Sequence, residues 1–316
     1  MNKKGFAVMF DWIFSIVAGV LIFSFLIYFA VQHTDLFGKI TAKVVAEELD
    51  VMFSQYETTE TKSVLDFGKG VELEFKCDEG DKRQWFKVND RDGKDVWGKI
   101  IFAPEKIKSD KINVATASWN VPFRVANFVY LWDKRYELDY DPDFELPQWL
   151  SSSLPGDVKI NFLQDSSLSS DMIEGDCPHF GSRLTADGKT YDKMIYYDKD
   201  ATGKDVKGYI CFKDKKRSFF YGKAMMMGAV FTDSKEEFDC VKKAAVNRFK
   251  IVNNVYDEKI NHIPFENCPI SGGRYNDAVY NTDNDIEPFD SFNFGKVSEI
   301  ESANNRLIGG GCAGVY

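Results

Sequence analysis

The hydrophobic pattern of the chain begins with a run of twenty residues, Trp12 to Val31, that contains no charged side chain. At a rise of about 1.5 Å per residue, a helix of this length covers the roughly 30 Å hydrocarbon core of a bilayer. The run exceeds the apolar part of a cleaved secretory signal, about 7–15 residues, and no small-residue cleavage site follows it. The pattern predicts a retained transmembrane helix, with residues 1–32 forming a cytoplasmic leader and the membrane anchor.

A second helical pattern follows the apolar run directly. Residues 36–54 place apolar side chains three and four positions apart with charges between them, which is typical of an amphipathic helix. The apolar positions are Ile40, Val44, Val45, Leu49, Met52 and Phe53. A threonine-rich stretch then ends the pattern. We predict an amphipathic stalk helix and a linker over residues 33–62.

Over residues 63–132, the apolar residues recur at every second position instead of every third or fourth. β-branched and aromatic residues alternate with polar ones, while Gly68, Gly70 and an Asp92-Gly93 turn separate the strands. This pattern predicts an antiparallel β layer. A short helix is expected at 144–154 and a buried strand at 158–163, so residues 63–165 form a predicted β-rich region.

Residues 166–316 form a predicted cysteine-containing α+β region. It contains a hairpin within residues 193–212, then an apolar strand over 219–231 that includes the methionine triplet 225–227. A final helix at 297–307 ends at the glycine run 309–311.

The longest helix predicted after the apolar run begins at Ser234, because Ser234 and Glu237 have the spacing of a capping box. Its apolar positions keep a three-four spacing: Phe238, Val241, Ala245, Phe249, Val252, Tyr256, Ile260 and Ile263. The expected fold class is therefore α+β. One N-terminal transmembrane helix precedes a disulfide-bonded extracytoplasmic domain with antiparallel β layers and a long helix in its C-terminal half.

All six cysteines follow the apolar run, at Cys77, Cys177, Cys211, Cys240, Cys268 and Cys312. They form no C-x-x-C pair and have no zinc-site spacing, so an even number of them favours disulfides formed outside the cytoplasm. Fifteen connectivities are possible. We expect Cys177 to pair with Cys211, and Cys240 with Cys268 or Cys312; the alternative is buried free thiols in a cytosolic domain.

Composition and charge narrow the possible partners. The chain is 44% hydrophobic and 28% charged, which is typical of a folded protein. Residues 33–316 carry 38 basic and 48 acidic side chains, so general binding of nucleic acid is not expected. The expected partners are the lipid bilayer and other envelope proteins or identical subunits, and no nucleic acid. Tryptophans that can anchor such an interface are Trp85, Trp97, Trp119, Trp132 and Trp149.

One acidic run has the spacing of a weak metal site. Asp139, Asp141, Asp143 and Glu145 alternate along the chain, and an extended backbone would place them on one face. Their carboxylates are ligands that Ca²⁺ accepts. The alternative is a hydrated loop, because prolines lie within and beside the run. No other cofactor is indicated.

Catalytic motifs are missing from the sequence. His179 and His262 are the only histidines beyond the membrane edge, and neither G-x-S-x-G nor H-E-x-x-H occurs. No catalytic residue is therefore assigned, and a protein without enzymatic activity is favoured. A membrane-tethered, metal-dependent enzyme that uses the clustered acids remains an alternative.

The first 32 residues, with their KKGF and DWIF segments, resemble the N-termini of uncharacterised single-span archaeal membrane proteins. The resemblance continues in residues 219–249 and in the closing asparagine-rich helix with Cys312 and Tyr316. It covers roughly a third of the chain. It implies a single membrane span and an archaeal surface location, and it adds no reaction.

The same N-terminus is also similar to type IV prepilins, in which a short basic leader precedes a hydrophobic helix that anchors the subunit and packs into a filament. The Gly5-Phe6 junction lies where a prepilin peptidase would cut. Prepilins usually carry glutamate at the fifth mature residue. Here that position is Phe10, and Asp11 follows it, so an ordinary signal anchor is the alternative.

These observations lead to one expected function and two alternatives. We expect a non-enzymatic, membrane-anchored cell-surface protein that acts in assembly or binding at the archaeal envelope. Its N-terminus would be cytoplasmic and its C-terminal domain extracellular, because Lys3 and Lys4 precede the apolar run and every cysteine follows it. The alternatives are a type IV pilin-like filament subunit and the metal-dependent enzyme.

Overall fold

The computed structural model describes residues 3–78, 83–96, 98–141, 146, 150, 157–165, 177, 191–199, 206–262, 275–280 and 295–316. Within the long first helix, side chains are described for residues 16–29 and 42–56. Helices and strands are numbered separately in chain order.

Helix α1 runs without interruption over Lys3–Tyr56. The predicted helix at 36–54 and its end at the threonine-rich stretch are confirmed. The buried face of its C-terminal half consists of Ala42, Ala46, Leu49 and Phe53. The prediction that Val44 lies on the apolar face is wrong, since Val44 is 50% exposed. Two adjacent faces of this helix carry apolar residues three and four positions apart. The face that contacts sheet A is the one that contains Ala42 and Ala46.

Sheet A contains six strands in the order β3-β2-β1-β5-β6-β4. Their bounds are β1 Lys62–Asp78, β2 Arg83–Val88, β3 Arg91–Asp95, β4 Ile100–Phe102, β5 Lys106–Asn120 and β6 Arg124–Trp132. All neighbours are antiparallel except β4 and β6, which run parallel. The predicted antiparallel layer is thus confirmed, with one parallel edge strand added.

The turn between β2 and β3 differs from its prediction. It is formed by Asn89 and Asp90, which both have positive φ, at 52° and 56°. Asparagine and aspartate tolerate this left-handed region better than other side chains, so the pair replaces the expected Asp92-Gly93 turn. Gly93 instead lies within β3, where a Cβ atom would lie 1.8 Å from the carbonyl oxygen of Phe86.

Sheet B contains five strands in the order β11-β10-β9-β8-β7. Their bounds are β7 Tyr136–Asp139, β8 Val158–Gln164, β9 Lys193–Lys199, β10 Val206–Cys211 and β11 Arg217–Tyr221. Strands β7, β8 and β9 are parallel, whereas β9, β10 and β11 are antiparallel. The predicted strand at 158–163 and the predicted hairpin are confirmed. The predicted helix at 144–154 lies outside the described residues.

The apolar segment predicted as a strand over 219–231 is a strand only as far as Tyr221. At Gly222 the backbone takes a φ of +83°, and helix α2 begins, spanning Gly222–Phe231. Every residue from Ala224 to Phe231 is buried. A continuous apolar run fits either a buried strand or a helix enclosed on all sides. Here α2 lies between the sheets and contacts β5 and β6 on one side and β10 and β11 on the other.

Helix α3, Lys235–His262, begins as predicted. The backbone N–H of Glu237 donates to Ser234 Oγ at 3.2 Å, and the Glu237 carboxylate accepts from the N–H of Asp233 at 3.1 Å. The predicted core positions that are buried are Phe238, Val241, Ala245, Phe249 and Ile260, while Val252 and Tyr256 are partly buried and Ile263 lies outside the described residues. Helix α4, Gly295–Gly309, is confirmed, and Gly311 takes a left-handed conformation after it, with a φ of +79°.

The core is divided by sheet A. On one face α1 packs against the sheet through Phe53, Phe86 and their neighbours. On the other face α2 and α3 fill the space towards sheet B, with aromatic residues of both sheets around them. Two buried donors of sheet A contact the junction of β11 and α2: Trp119 Nε1 donates to the Tyr221 carbonyl at 2.9 Å, and Tyr130 Oη donates to the Ala224 carbonyl at 2.8 Å.

Two disulfides link described residues. Cys177 pairs with Cys211, with Cα atoms 5.9 Å apart, as predicted. Cys240 pairs with Cys77, with Cα atoms 6.1 Å apart, so its predicted pairing with Cys268 or Cys312 is wrong. The reason is tertiary, because β1 ends beside α3 although 163 residues separate the two cysteines. Cys312 is also disulfide-bonded, and Cys268 lies outside the described residues.

The substitution Gly228→Ala tests the packing of α2. A Cβ atom at Gly228 would lie 2.6 Å from the ring of Phe102, which is fully buried, so the helix or the ring must move. We expect a loss of about 1–3 kcal/mol in the free energy of unfolding, measured by chemical denaturation. The matched control is Gly309→Ala, where no atom lies within 4 Å of the added carbon. An equal loss in both variants would contradict the packing of α2 against Phe102.

Candidate functional site on helix α1

The N-terminal half of α1 exposes apolar side chains around its whole circumference. Its large apolar residues are between 50 and 66% exposed: Ile16, Val17, Val20, Leu21, Ile22, Phe23, Phe25, Leu26, Ile27, Tyr28 and Phe29. A helix that is apolar on every side is normally enclosed by other protein or by lipid. Exposed apolar surface of this extent marks an interaction site for a membrane or a partner.

Within this apolar run, side chains are described for residues 16–29. Among the residues that the structure describes, no helix is long and apolar enough to cross a membrane. Gly5 and Phe6 belong to the backbone of α1, and their side chains lie outside the described part.

Ion pairs as well as apolar contacts hold the C-terminal half of α1 on sheet A. Asp50 pairs with Lys99 and, at 2.9 Å, with Lys94, which also contacts Glu47 at 2.5 Å. Lys99 is nearly buried and also donates to the backbone carbonyl of Asp50 at 3.1 Å. Burial acts to raise the pKa of the Asp50 carboxyl, but the hydrogen bonds from Lys99 and Lys94 outweigh it and hold the pKa below its usual range.

These contacts fix the direction in which the exposed half leaves the folded body, because α1 is one unbroken helix. Ala42 is the first buried residue described on the docked face, and Phe29 is the last exposed apolar residue described before it. At about 1.5 Å per residue, roughly 20 Å of helix separates the two. The exposed half thus lies well beyond the edge of the folded part.

The predicted calcium ligands are only partly described. Asp139 accepts a hydrogen bond from Tyr191 Oη at 2.6 Å, and Asp141 is exposed. Asp143 and Glu145 lie outside the described residues. Within the described ranges, no group of three or more histidine, cysteine, aspartate or glutamate residues is placed to hold a metal ion. The calcium site remains a prediction.

The tryptophans differ in their exposure. Trp119 and Trp132 are buried in the core. Trp85 is partly exposed on β2, with Lys76 Nζ 5.9 Å and Lys87 Nζ 5.3 Å from its ring centre. Trp97 and Trp149 lie outside the described residues, as does His179, whereas His262 is exposed at the end of α3.

A buried lysine was not anticipated from the sequence. Lys193, at the start of β9, donates to the carbonyl oxygens of Val230 at 2.7 Å, Ala229 at 3.4 Å and Thr232. These carbonyls belong to the last turn of α2 and the residue after it, where a helix lacks internal donors. Burial lowers the pKa of Lys193 to about 8, although Asp233 acts against this shift. The Lys193 side chain supplies hydrogen-bond donors to the carbonyls at the end of α2.

A second buried cluster joins α3 to β11. Asp239 pairs with Lys235 at 2.5 Å and with Lys242 at 2.9 Å, and it accepts a hydrogen bond from the Ser218 hydroxyl. Lys242 Nζ also donates to Ser218 Oγ at 2.8 Å. Burial acts to raise the pKa of Asp239, but the two lysines and Ser218 hold it below its usual range. An ionised carboxylate between two lysines stabilises the fold, and Ser218 is buried within this cluster, at 2% exposure.

The clefts on the described surface include three of about 380 to 480 Å³. The first, of about 390 Å³, lies at the start of α2 and is lined by Ser118, Trp119, Asn120, Pro122, Gly222, Lys223, Ala224, Val297 and Glu301. The second, of about 480 Å³, follows α4 and is lined by Asp277, Lys296, Ser298, Glu299, Ser302 and Arg306. The third, of about 380 Å³, lies beside the Cys77–Cys240 disulfide and is lined by Phe75, Lys76, Cys77, Glu105, Ser234, Glu236 and Glu237.

Comparisons of the chain with protein-family models, with curated proteins and with solved structures gave no significant match.

The pKa of Lys193 predicts a pH dependence of stability. Between about pH 8 and its ordinary value of 10.5, the folded chain has released a proton that the unfolded chain still binds. The free energy of unfolding therefore gains up to about 1.4 kcal/mol per pH unit from this residue as the pH rises through that window. Below pH 8 both states bind the proton and the contribution is constant.

Denaturant unfolding of the wild type and Lys193→Met between pH 7.5 and 10 measures this contribution. The variant should lack the rise, so its slope against pH is smaller than that of the wild type. The control is Lys207→Met in the neighbouring strand β10, where the lysine side chain is 43% exposed and 3.7 Å from Asp198. If Lys193→Met and Lys207→Met give the same slope, the buried charge does not titrate as described.

Proposed function

We propose that the protein is a non-enzymatic, single-span membrane protein whose α+β part acts in assembly or binding at the outer face of an archaeal envelope. The observation that carries this proposal is the exposed apolar half of α1 in continuity with a half that is docked on sheet A. The docked half belongs to the core of the folded part, and the other half presents its surface for lipid.

The amount of exposed apolar surface favours lipid over water. Eleven large apolar side chains of residues 16–29 are at least half exposed. Complete burial of such a side chain is favourable by about 1.5–3 kcal/mol, so transfer of the group to hydrocarbon gains on the order of 10 kcal/mol. The uncharged run over residues 12–31 has the length that a bilayer requires.

The disulfides support an exterior location for the folded part. Cys77, Cys177, Cys211 and Cys240 are paired in two bonds, and Cys312 is also bonded. Such bonds persist in oxidising compartments and are rare in the cytosol. With lysines at positions 3 and 4 on the other side of the apolar run, this supports a cytoplasmic N-terminus.

The chemistry of the described interior supports binding or assembly as the activity. Lys193 is occupied by three backbone carbonyls at the end of α2, and Asp239 holds two lysines and Ser218. Both clusters connect secondary-structure elements, and their charged groups are satisfied within the protein. Two of the described clefts, of about 390 and 380 Å³, lie at the lower end of the 300–1,000 Å³ that is usual for ligand pockets.

A type IV pilin-like subunit is a second candidate, favoured by the unbroken course of α1. One helix from Lys3 to Tyr56 contains both the apolar run and the docked half, so the proposed anchor continues into the folded part without a break. The outward side of the docked half carries Val44 and Val51 with acidic residues between them, and both valines are at least half exposed. This surface is open to a neighbouring subunit.

Paired substitutions test the membrane anchor. Leu21→Lys with Phe25→Lys places two charges in the middle of the apolar run, each costing about 2.5–3.5 kcal/mol at the centre of a bilayer. We expect the wild type to float with phosphatidylglycerol-containing vesicles and to resist extraction by alkaline carbonate, whereas the variant becomes extractable.

The matched control is Val44→Lys with Val51→Lys, which places the same charges at exposed positions of the docked half of the same helix. It should float like the wild type. A wild-type chain that stays with the soluble fraction would overturn the anchor, as would equal extraction of the control and the test variant.

Mass spectrometry of the mature N-terminus distinguishes the two candidate functions. Cleavage after Gly5 in cells that possess a prepilin peptidase would leave a chain that begins at Phe6, as the pilin-like function requires. An intact N-terminus, or loss of Met1 only, would remove the pilin-like candidate and leave the membrane-anchored protein in place. The control is Gly5→Leu, which should stay intact under the same conditions.

A further inference from the structure

We infer that the Cys77–Cys240 disulfide is a thiol–disulfide exchange site, at which a small thiol or a partner's dithiol attacks Cys77 from the cleft beside it. This inference concerns a covalent reaction of the folded part and goes beyond the proposed anchoring and assembly. Three features carry it: access from the cleft, the difference between the two sulfur atoms, and a carboxyl group in the cleft wall.

The cleft gives solvent access to one end of the bond. Its volume of about 380 Å³ is more than ten times the roughly 30 Å³ that a water molecule occupies. Cys77 lines the cleft and is partly exposed at the end of β1. Cys240 is 2% exposed within α3. A thiolate that enters the cleft therefore meets the sulfur of Cys77 first.

The second described disulfide provides an internal comparison. Cys177 and Cys211 are 5% and 1% exposed and belong to an aromatic cluster on sheet B. Since exchange requires in-line approach of a thiolate to one sulfur atom, this bond is closed to reagents while the chain is folded.

The exchange can be written with all atoms and electrons assigned. The incoming thiolate forms a bond to the sulfur of Cys77, the Cys77–Cys240 bond breaks, and Cys240 leaves as a thiolate that takes up a proton. A second thiol then attacks the mixed disulfide and releases Cys77 as a thiol. In sum, two thiols lose two electrons and become a disulfide, and the protein disulfide becomes two thiols.

Glu237 lines the same cleft and lies three positions before Cys240 on α3. Burial raises the pKa of its carboxyl to about 7, although the hydrogen bond from the backbone of Asp233 acts against the shift. The charges of Asp233 and Glu105 raise this pKa further, and that of Lys193 lowers it. Below pH 7 the protonated acid can donate to the departing thiolate; above it, the carboxylate repels an incoming one.

Two other charged groups that line the cleft each pair with an oppositely charged residue. Lys76 pairs with Glu74 at 2.7 Å, which raises the pKa of Lys76. Glu236 pairs with Lys216 at 2.5 Å, which lowers the pKa of Glu236. A change in the reaction near pH 7 therefore reports on Glu237.

Exchange at this site would break a covalent link between two elements that are far apart in sequence. The bond joins the end of β1 in sheet A to α3, across 163 residues of sequence. When it is reduced, the contact between this end of sheet A and α3 rests on noncovalent packing alone. The redox state of a thiol partner would thus control the connection between these two parts of the fold.

Reduction of the native full-length protein by 2-mercaptoethanol tests the inference. Samples are quenched and alkylated at intervals, and peptide mapping follows each cysteine separately. We expect Cys77 and Cys240 to become alkylated at least about tenfold faster than Cys177 and Cys211, because only their bond is open to a thiolate. Equal rates, or faster opening of Cys177–Cys211, would overturn the inference.

The pH dependence tests the role of Glu237. After division by the fraction of reagent present as thiolate, the wild-type rate should fall as the pH rises from 6 to 8. Glu237→Gln should abolish this fall, and the control Glu236→Gln, the same change in the same cleft, should retain it. A fall in Glu237→Gln equal to that of the wild type, or its loss in Glu236→Gln alone, would refute the assignment.

Discussion

Sheet A has apolar side chains on both faces, and the exclusion of water from both faces organises the rest of the molecule. On one face Phe86 and its neighbours pack against Phe53 of α1. On the other face Phe102 and Trp119 pack against α2 and α3, which in turn contact sheet B. Without α1 the first face would be open to water, so this helix is a structural part of the folded region. This shared use of α1 links the proposed membrane attachment to the stability of the fold.

The close packing around α2 explains why charged groups are buried nearby. Lys193 supplies donors for the carbonyls that end α2 inside the protein, where water cannot reach them. Asp239 and its lysines similarly connect α3 to β11. Charges that are buried in this way are tolerated because each has partners within the fold. Glu237 differs, since it lines a cleft and its carboxyl is protonated more readily than usual.

Several helices and strands were predictable from the sequence, because the local residue pattern and the tertiary packing favour the same secondary structure in these segments. Alternation marked the strands of sheet A, and Ser234 with Glu237 marked the start of α3. The pairing of Cys177 with Cys211 was expected as a link between the polar loop and the hairpin. The buried lysine and the cleft beside Cys77 left no comparable signal. Both arise where elements that are far apart in sequence come into contact, and the periodicity of one segment carries no information about such tertiary contacts.

The sequence by itself determined the apolar run of α1, the antiparallel layer and the capped helix α3, because each depends on the spacing of side chains along one segment. Only the tertiary structure decided that residues 222–231 form a helix, since a continuous apolar segment can be enclosed in either conformation. It also selected Ala42 over Val44 for the docked face and Cys77 as the partner of Cys240. These outcomes depend on which surfaces meet, and that is set by the exclusion of water from the assembled fold.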